Sequence, residues 1–220
     1  MTGRVGAAWE RIEDGLRRVL PDSVRHLEGP AADAAIDIAE DELGLTLPAD
    51  FRASLRIHNG TSWRMPHPLP MDHLYSAEEI VEATRMWRDN ADDDPDYHDP
   101  GRLAYLIDRG MLRIGGPVHH LMGADGRIVV ATMNGDVWWL LDLDPAPGGT
   151  PGQVIRVDIE CAEWDVLAPS WEELLLRYAR DLENGLEIDP HVGPACEWGE
   201  GSGSERPAWL AGVEAVDPYA

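Results

Sequence analysis

MNGDVWWLLDLDPAPGGTPGQVIRVD, residues Met133 to Asp158, decides the fold. Asn134-Gly135 separates two apolar runs, Ile128–Ala131 and Val137–Leu143. Asn-Gly suits a two-residue hairpin turn, which needs positive φ at both central positions, so the runs read as antiparallel strands. In the second strand Val137, Trp139, Leu141 and Leu143 share one face, while Trp138 and Leu140 share the other, which turns acidic at Asp142 and Asp144. A strand apolar on both faces sits in the middle of a sheet with cover on each side. Pro145, Pro147 and Pro151 with Gly148, Gly149 and Gly152 end the ladder, because proline lacks the donor and glycine weakens a strand. Gln153–Val157 resumes an extended pattern, which makes the whole piece a three-stranded meander.

Composition narrows the chemistry. The chain has 220 residues and a formal charge of −23, and all 18 of its Lys-plus-Arg positions are arginine. The lack of lysine removes a P-loop lysine, a Schiff-base lysine and a lysine general base. Strong acidity opposes direct nucleic-acid binding, which requires a basic surface. Cys161 and Cys196 form neither a disulfide framework nor a metal-ligand spacing. No signal peptide is visible at the N-terminus, where Trp9–Leu20 is amphipathic, and no apolar run approaches the roughly 20 residues of a membrane span. These features point to a cytoplasmic protein.

Outward from the meander, helices collect at the N-terminus. Trp9, Ile12, Leu16, Val19 and Leu20 recur at helical spacing before Pro21. Ala31–Leu43 carries a stripe of Ala32, Ile36, Ala39 and Leu43 and stops at Gly44. Pro48 opens a third helix with Phe51 and Leu55 inward, closed by Asn59-Gly60. Asp72–Tyr75 reads as a short strand. Ser76 with Glu79 is a capping box ahead of Ile80, Thr84 and Trp87. Asp89–Gly101 reads as an acidic loop, and Leu103–Ile107, Met111–Ile114 and Asp165–Ala168 as strands. A second capping box, Ser170 with Glu173, opens a C-terminal helix with Trp171, Leu174, Leu175, Tyr178 and Leu182 inward, closed by Gly185. The prediction is an α+β domain over 1–185, its central, mainly antiparallel sheet flanked by helices. These helices are grouped at the N-terminus, with one long helix at the C-terminal end. Residues 186–220, rich in Gly, Pro and Glu, read as a tail.

Two stretches together resemble one family. The first is Ile36-x-x-x-Glu40-x-x-Leu43-Gly44-x-x-Leu47-Pro48-x-x-Phe51-x-x-x-Leu55-x-x-x-Asn59-Gly60. The second runs from Gly116-Pro117-Val118 through Asp142-Leu143-Asp144-Pro145-Ala146-Pro147-Gly148-Gly149 to Gly152-Gln153-Val154-Ile155, then into Leu167-Ala168-Pro169-Ser170 and the last helix. This pattern resembles the Smi/Knr family of fungal cell-wall-assembly regulators and their bacterial relatives, within the SUKH superfamily. The resemblance implies a helix-flanked sheet and no catalytic activity. It also implies binding to other proteins: toxin neutralisation for bacterial members, regulation for fungal ones.

The residues themselves offer few reaction centres. Asp142 and Asp144 are paired carboxylates at a strand end, usable for acid–base work, yet the Asp-Leu-Asp-Pro run also suits a strand exit. His119 and His120, as sequence neighbours on a strand, would point to opposite faces and read as surface loop. Asp92, Asp93, Asp94 and Asp96 lack the glycine and glutamate of an EF-hand loop. No nucleophile elbow, zinc-protease helix or dinucleotide fingerprint is present, so no cofactor or metal is expected. Most of the nine tryptophans read as core, while Trp63, Trp138 and Trp198 sit in contexts where an exposed ring would be an interface anchor. The expectation is a non-enzymatic binding domain, foremost an immunity protein neutralising a basic, nuclease-like toxin domain. Its candidate contact residues are Trp63, Asp92, Asp93, Asp94, Asp96, Trp138, Asp142 and Asp144. A regulatory adaptor of cell-wall or growth processes is the second expectation, and a hydrolase using the strand-end carboxylates the third.

Overall fold

A computed structural model of the chain describes residues 3–93, 99–186 and 188–194. The Asn134-Gly135 turn is present, with φ of 56° and 84° at its two residues. It joins strands β3 (Arg127–Met133) and β4 (Val137–Asp142). With β1 (His73–Leu74), β2 (Arg113–Gly115), β5 (Gln153–Asp158) and β6 (Glu163–Ala168) they form a six-stranded sheet. Its order is β1-β3-β4-β5-β6-β2, antiparallel except where β2 runs parallel to β6. All six residues of β4 are buried, as alternation on two covered faces requires.

The α-helices are α1 (Arg4–Val19), α2 (Asp33–Leu43), α3 (Ala49–Leu55), α4 (Ala77–Asp93), α5 (Pro100–Asp108) and α6 (Trp171–Glu183), and a 3-10 helix, Pro21–His26, follows α1. Trp87 of α4 meets Trp138 of β4 edge-on, with centroids 5.9 Å apart. At the same place the Trp87 indole donates to Met122 O at 3.0 Å. On α6, Leu182 faces Gly15 of α1 so closely that an added Cβ would lie 3.0 Å away. Phe51 of α3 meets Trp171 edge-on at 4.9 Å. Among the described residues, no helix is long and apolar enough to cross a membrane.

Several expectations give way to local physics. Leu103–Ile107 is helix, not strand. Asp99 caps Gly101 N–H at 2.9 Å and Pro100 stands in the first turn. Leu103 is fully buried and Tyr105 is 44% exposed, which is helical rather than alternating burial with Leu106 and Ile107 packed inward. The acidic loop begins later than expected, because α4 carries on through Asp92 and Asp93. Its third turn is held by Trp87 and by Arg88, which donates to Asp125 O at 2.8 Å. Val19, expected inward, is 41% exposed. The last helix, α6, has 13 residues against 16 in α1 and 17 in α4, so it is not the long element of the fold. Within the expected tail, β7 (Ile188–Asp189) and β8 (Gly193–Pro194) pair as a small hairpin. Residues 195–220, including Trp198 and Trp209, lie outside the described residues.

Candidate functional site

The segment between α3 and β1 is bound to the fold at several points. Thr61 exchanges two hydrogen bonds with Leu74, its N–H donating to Leu74 O and its Oγ1 accepting from Leu74 N–H, both at 2.9 Å. Ser62 N–H donates to His26 O at 2.9 Å, and Ser62 Oγ lies 3.0 Å from His26 Nδ1. His67 N–H donates to Val192 O at 2.8 Å, and the buried Tyr178 hydroxyl donates to Pro68 O at 2.8 Å. Gly193 faces the backbone of His67 where a Cβ would meet His67 O at 2.6 Å, and its φ of +123° excludes other residues as well. Three consecutive side chains between these anchors face solvent: Trp63 (59% exposed), Arg64 and Met65 (60%).

Trp63 does not hang free. Its ring lies flat on His73, with centroids 4.1 Å and planes 18° apart. His73 is buried, meets Tyr75 edge-on at 5.2 Å, and approaches Glu79 Oε1 with Nε2 at 3.1 Å. Glu79 also accepts Ser76 N–H at 2.8 Å, the second half of the expected capping box. The bond from His73, then that from Ser76, holds the Glu79 carboxyl below the usual range against the opposing effect of burial. One face of the indole is therefore supported by a fixed stack, and the other is open to solvent. An anchor ordered before binding loses little rotamer entropy on contact.

The other expected contact residues fall elsewhere. Trp138 is buried against Trp87 and belongs to the core. Asp142 is 1% exposed and accepts from Gln153 Nε2 at 3.1 Å. Burial pushes its pKa up, with Arg127 pulling the other way. Asp144 is exposed. The strand ends at Asp142, so alternation does not carry through to Asp144, and the two carboxylates do not form a pair on one face. Arg127, itself pushed down to about 10 chiefly by burial, donates to His119 O and Met122 O and thereby holds the 116–126 loop. His119 and His120 are exposed on that loop. Asp92 and Asp93 fall in the last turn of α4, while Asp94 and Asp96 lie outside the described residues.

Register sets the distances between these places. His73 is opposite Thr132 and Asp142 is opposite Arg127, so the Trp63 stack and the Asp142 end are five β3 residues apart, about 17 Å at roughly 3.4 Å per residue. Arg64, Met65 and the His73 support were not singled out by sequence reasoning. The available signal was Trp63-Arg64-Met65 followed by prolines, a bulky run where a turn would be polar. Among the described residues, no group of three or more His, Cys, Asp or Glu could hold a metal ion. A separate pocket of about 200 Å³ beside β2 is lined by Leu106, Met111, Leu112, Met122, Ile159 and Trp164 among others. Its one acidic lining residue, Asp158, is already engaged by Arg156 at 2.7 Å and by Cys161 N–H at 2.8 Å, which leaves little to orient a polar ligand.

Fold and site together define an α+β domain that presents a prearranged aromatic on the edge-strand side of its sheet. The chain belongs to the SMI1 / KNR4 family (SUKH-1), whose sequence profile matches residues 30–177. The Trp63 loop and the whole sheet lie within that match. The chain is 31% identical over 185 residues to the cell wall biosynthesis/cell cycle regulator smi1 of Schizosaccharomyces pombe, covering 82% of this chain and 36% of the relative. It is 26% identical over 204 residues to the cell wall assembly regulator SMI1 of Saccharomyces cerevisiae, covering 81% and 40%. A shorter likeness, 30% over 79 residues, joins it to human F-box only protein 3, covering 34% and 17%. The chain thus spans less than half the length of the fungal regulators it matches.

Proposed function

We propose that this chain is a regulatory protein-binding domain with no reaction of its own, and that it docks its partner through the surface around Trp63. The observation that carries this reading is an indole 59% exposed yet stacked at 4.1 Å on a buried histidine. Large aromatics held rigid at a surface are the usual energetic centres of interfaces. The names of the fungal relatives, regulators of cell wall assembly and the cell cycle, support a regulatory use. The free, exposed thiol of Cys161 fits a reducing, cytoplasmic setting. The test compares the full chain with its Trp63→Ala variant as baits in native extract. Proteins retained by the first and lost by the second are the partners, and equal recovery by both baits rejects the surface.

Charge favours a second reading. A net −23 suits an immunity protein that meets the basic surface of a toxin domain, with Asp144 and the acidic end of α4 as its contacts. Such an association weakens as salt rises, and flat affinity from about 0.05 to about 0.5 M salt contradicts it. Position of the gene directly after a toxin gene supports immunity, whereas neighbouring envelope genes support regulation. The hydrolase reading lacks its carboxylate pair, since Asp142 is buried and Asp144 lies beyond the strand.

A further inference from the structure

Several exposed arginines on this acidic chain are matched by carboxylates. Arg4 meets Glu172 at 2.8 Å, Arg11 meets Glu183 at 2.7 Å, and Arg56 meets Asp33 at 2.6 Å. The two arginines near His26 are not paired in that way. Among the described residues Arg64 has no carboxylate within 4.0 Å. Arg25 has only Asp22, at 3.9 Å with both side chains about two-thirds or more exposed, a pair of little strength. Both arginines act on one place: His26, whose imidazole adjoins Ser62 in the same loop. Burial first, then Arg25 and Arg64, lowers the His26 pKa, as an uncompensated positive field would.

Two carboxylates bordering the Trp63–His73 stack are already committed. Asp72 Oδ2 accepts Asn134 N–H at 2.8 Å while its Oδ1 faces His67 Nε2 at 3.7 Å. Glu79 is held by His73 and Ser76. A local cationic spot thus flanks exposed Trp63 and Met65 on a molecule whose net charge is −23. We propose that this surface docks an acidic peptide segment of its protein partner, with an apolar side chain laid over the open face of Trp63 and carboxylates on Arg64 and Arg25. Arginine is suited to this contact, since its planar fork meets a carboxylate with two donors. At about 0.15 M salt the Debye length is about 8 Å, so distant acidic surface is screened and the arginines that act on His26 count most.

This inference rests on the docking reading above and adds the chemistry of the occupant. A random peptide library displayed on phage and panned against the immobilised full chain at about 0.15 M salt tests it. Enriched clones are then re-measured on Trp63→Ala and on the Arg25→Glu/Arg64→Glu double variant. The proposal expects sequences with Asp or Glu beside a large apolar residue, bound at least about tenfold more weakly by each variant, or about 1.4 kcal/mol. Because all three altered side chains are exposed, each variant keeps the fold, checked by an unchanged melting temperature. Basic or uncharged clones, clones indifferent to the charge reversal, or no enrichment at all overturn the acidic occupant. Clones that need Trp63 but not the arginines overturn only this inference and leave the docking surface in place.

Discussion

His26 hydrogen-bonds the Trp63 loop through Ser62 and titrates differently in the folded chain. Its pKa lies below the ordinary 6.5, with burial as the first cause and Arg25 and Arg64 next. The unfolded chain therefore binds this proton more tightly than the folded one. The sign follows: stability falls as pH drops through about 6.5 and stops falling once pH passes below the lowered folded-state value. Urea midpoints of wild type and His26→Asn, taken across that range, are expected to show a flatter pH slope in the variant, and equal slopes contradict the assignment. Arg127 makes the opposite kind of prediction, one of stability alone. It is 1% exposed and donates to backbone carbonyls of the 116–126 loop while facing buried Asp142. Arg127→Ala strands Asp142 and those carbonyls, and a loss of about 3–5 kcal/mol is expected in denaturant titration.

Turns and caps were the elements most legible in the sequence. Asn134-Gly135, the Ser76–Glu79 box and the two-faced β4 pattern each name a local requirement, and each is found at its expected place. At Ser170 only half the box closes, because Glu173 turns to Arg4 at 2.9 Å instead. The apolar run Leu103–Ile107 was not legible in the same way. A short continuous run suits a strand or a helix equally, and the cap at Asp99 decided it. For the site, Trp63 was legible as a bulky residue in a proline-rich loop, but its support was not, since His73 comes beneath it only when β1 pairs with β3. The same loop depends on the β7–β8 hairpin. Gly193→Ala forces a Cβ into His67 O, so hydrogen exchange at His67 N–H is expected to rise while exchange in β3–β4 stays unchanged. Unaltered exchange at His67 contradicts the hairpin's role in holding the loop.

On the scale of the whole molecule, the acidic balance and the cationic spot at Trp63 divide the surface into two chemistries. Sequence alone conveyed the first through net charge. It hid the second, because Arg25 and Arg64 are 39 positions apart and act on the same histidine only through the fold. Burial of Asp142 was hidden for the same reason: alternation assigned faces within β4, but whether a face reaches solvent is decided by the helices and loops that cover it. The Ser62-Trp63-Arg64-Met65 run lies inside the family match and is tied to edge strand β1 through Thr61 and Leu74, and it is there that we propose the partner docks. The decisive measurement is the affinity of the full chain for a partner recovered from its own cells, by calorimetry, for wild type and Trp63→Ala. The account predicts at least about a 30-fold loss, the roughly 2 kcal/mol of a truncated interface tryptophan, with the melting temperature unchanged. An affinity unaltered by the substitution would place the interface elsewhere on the molecule.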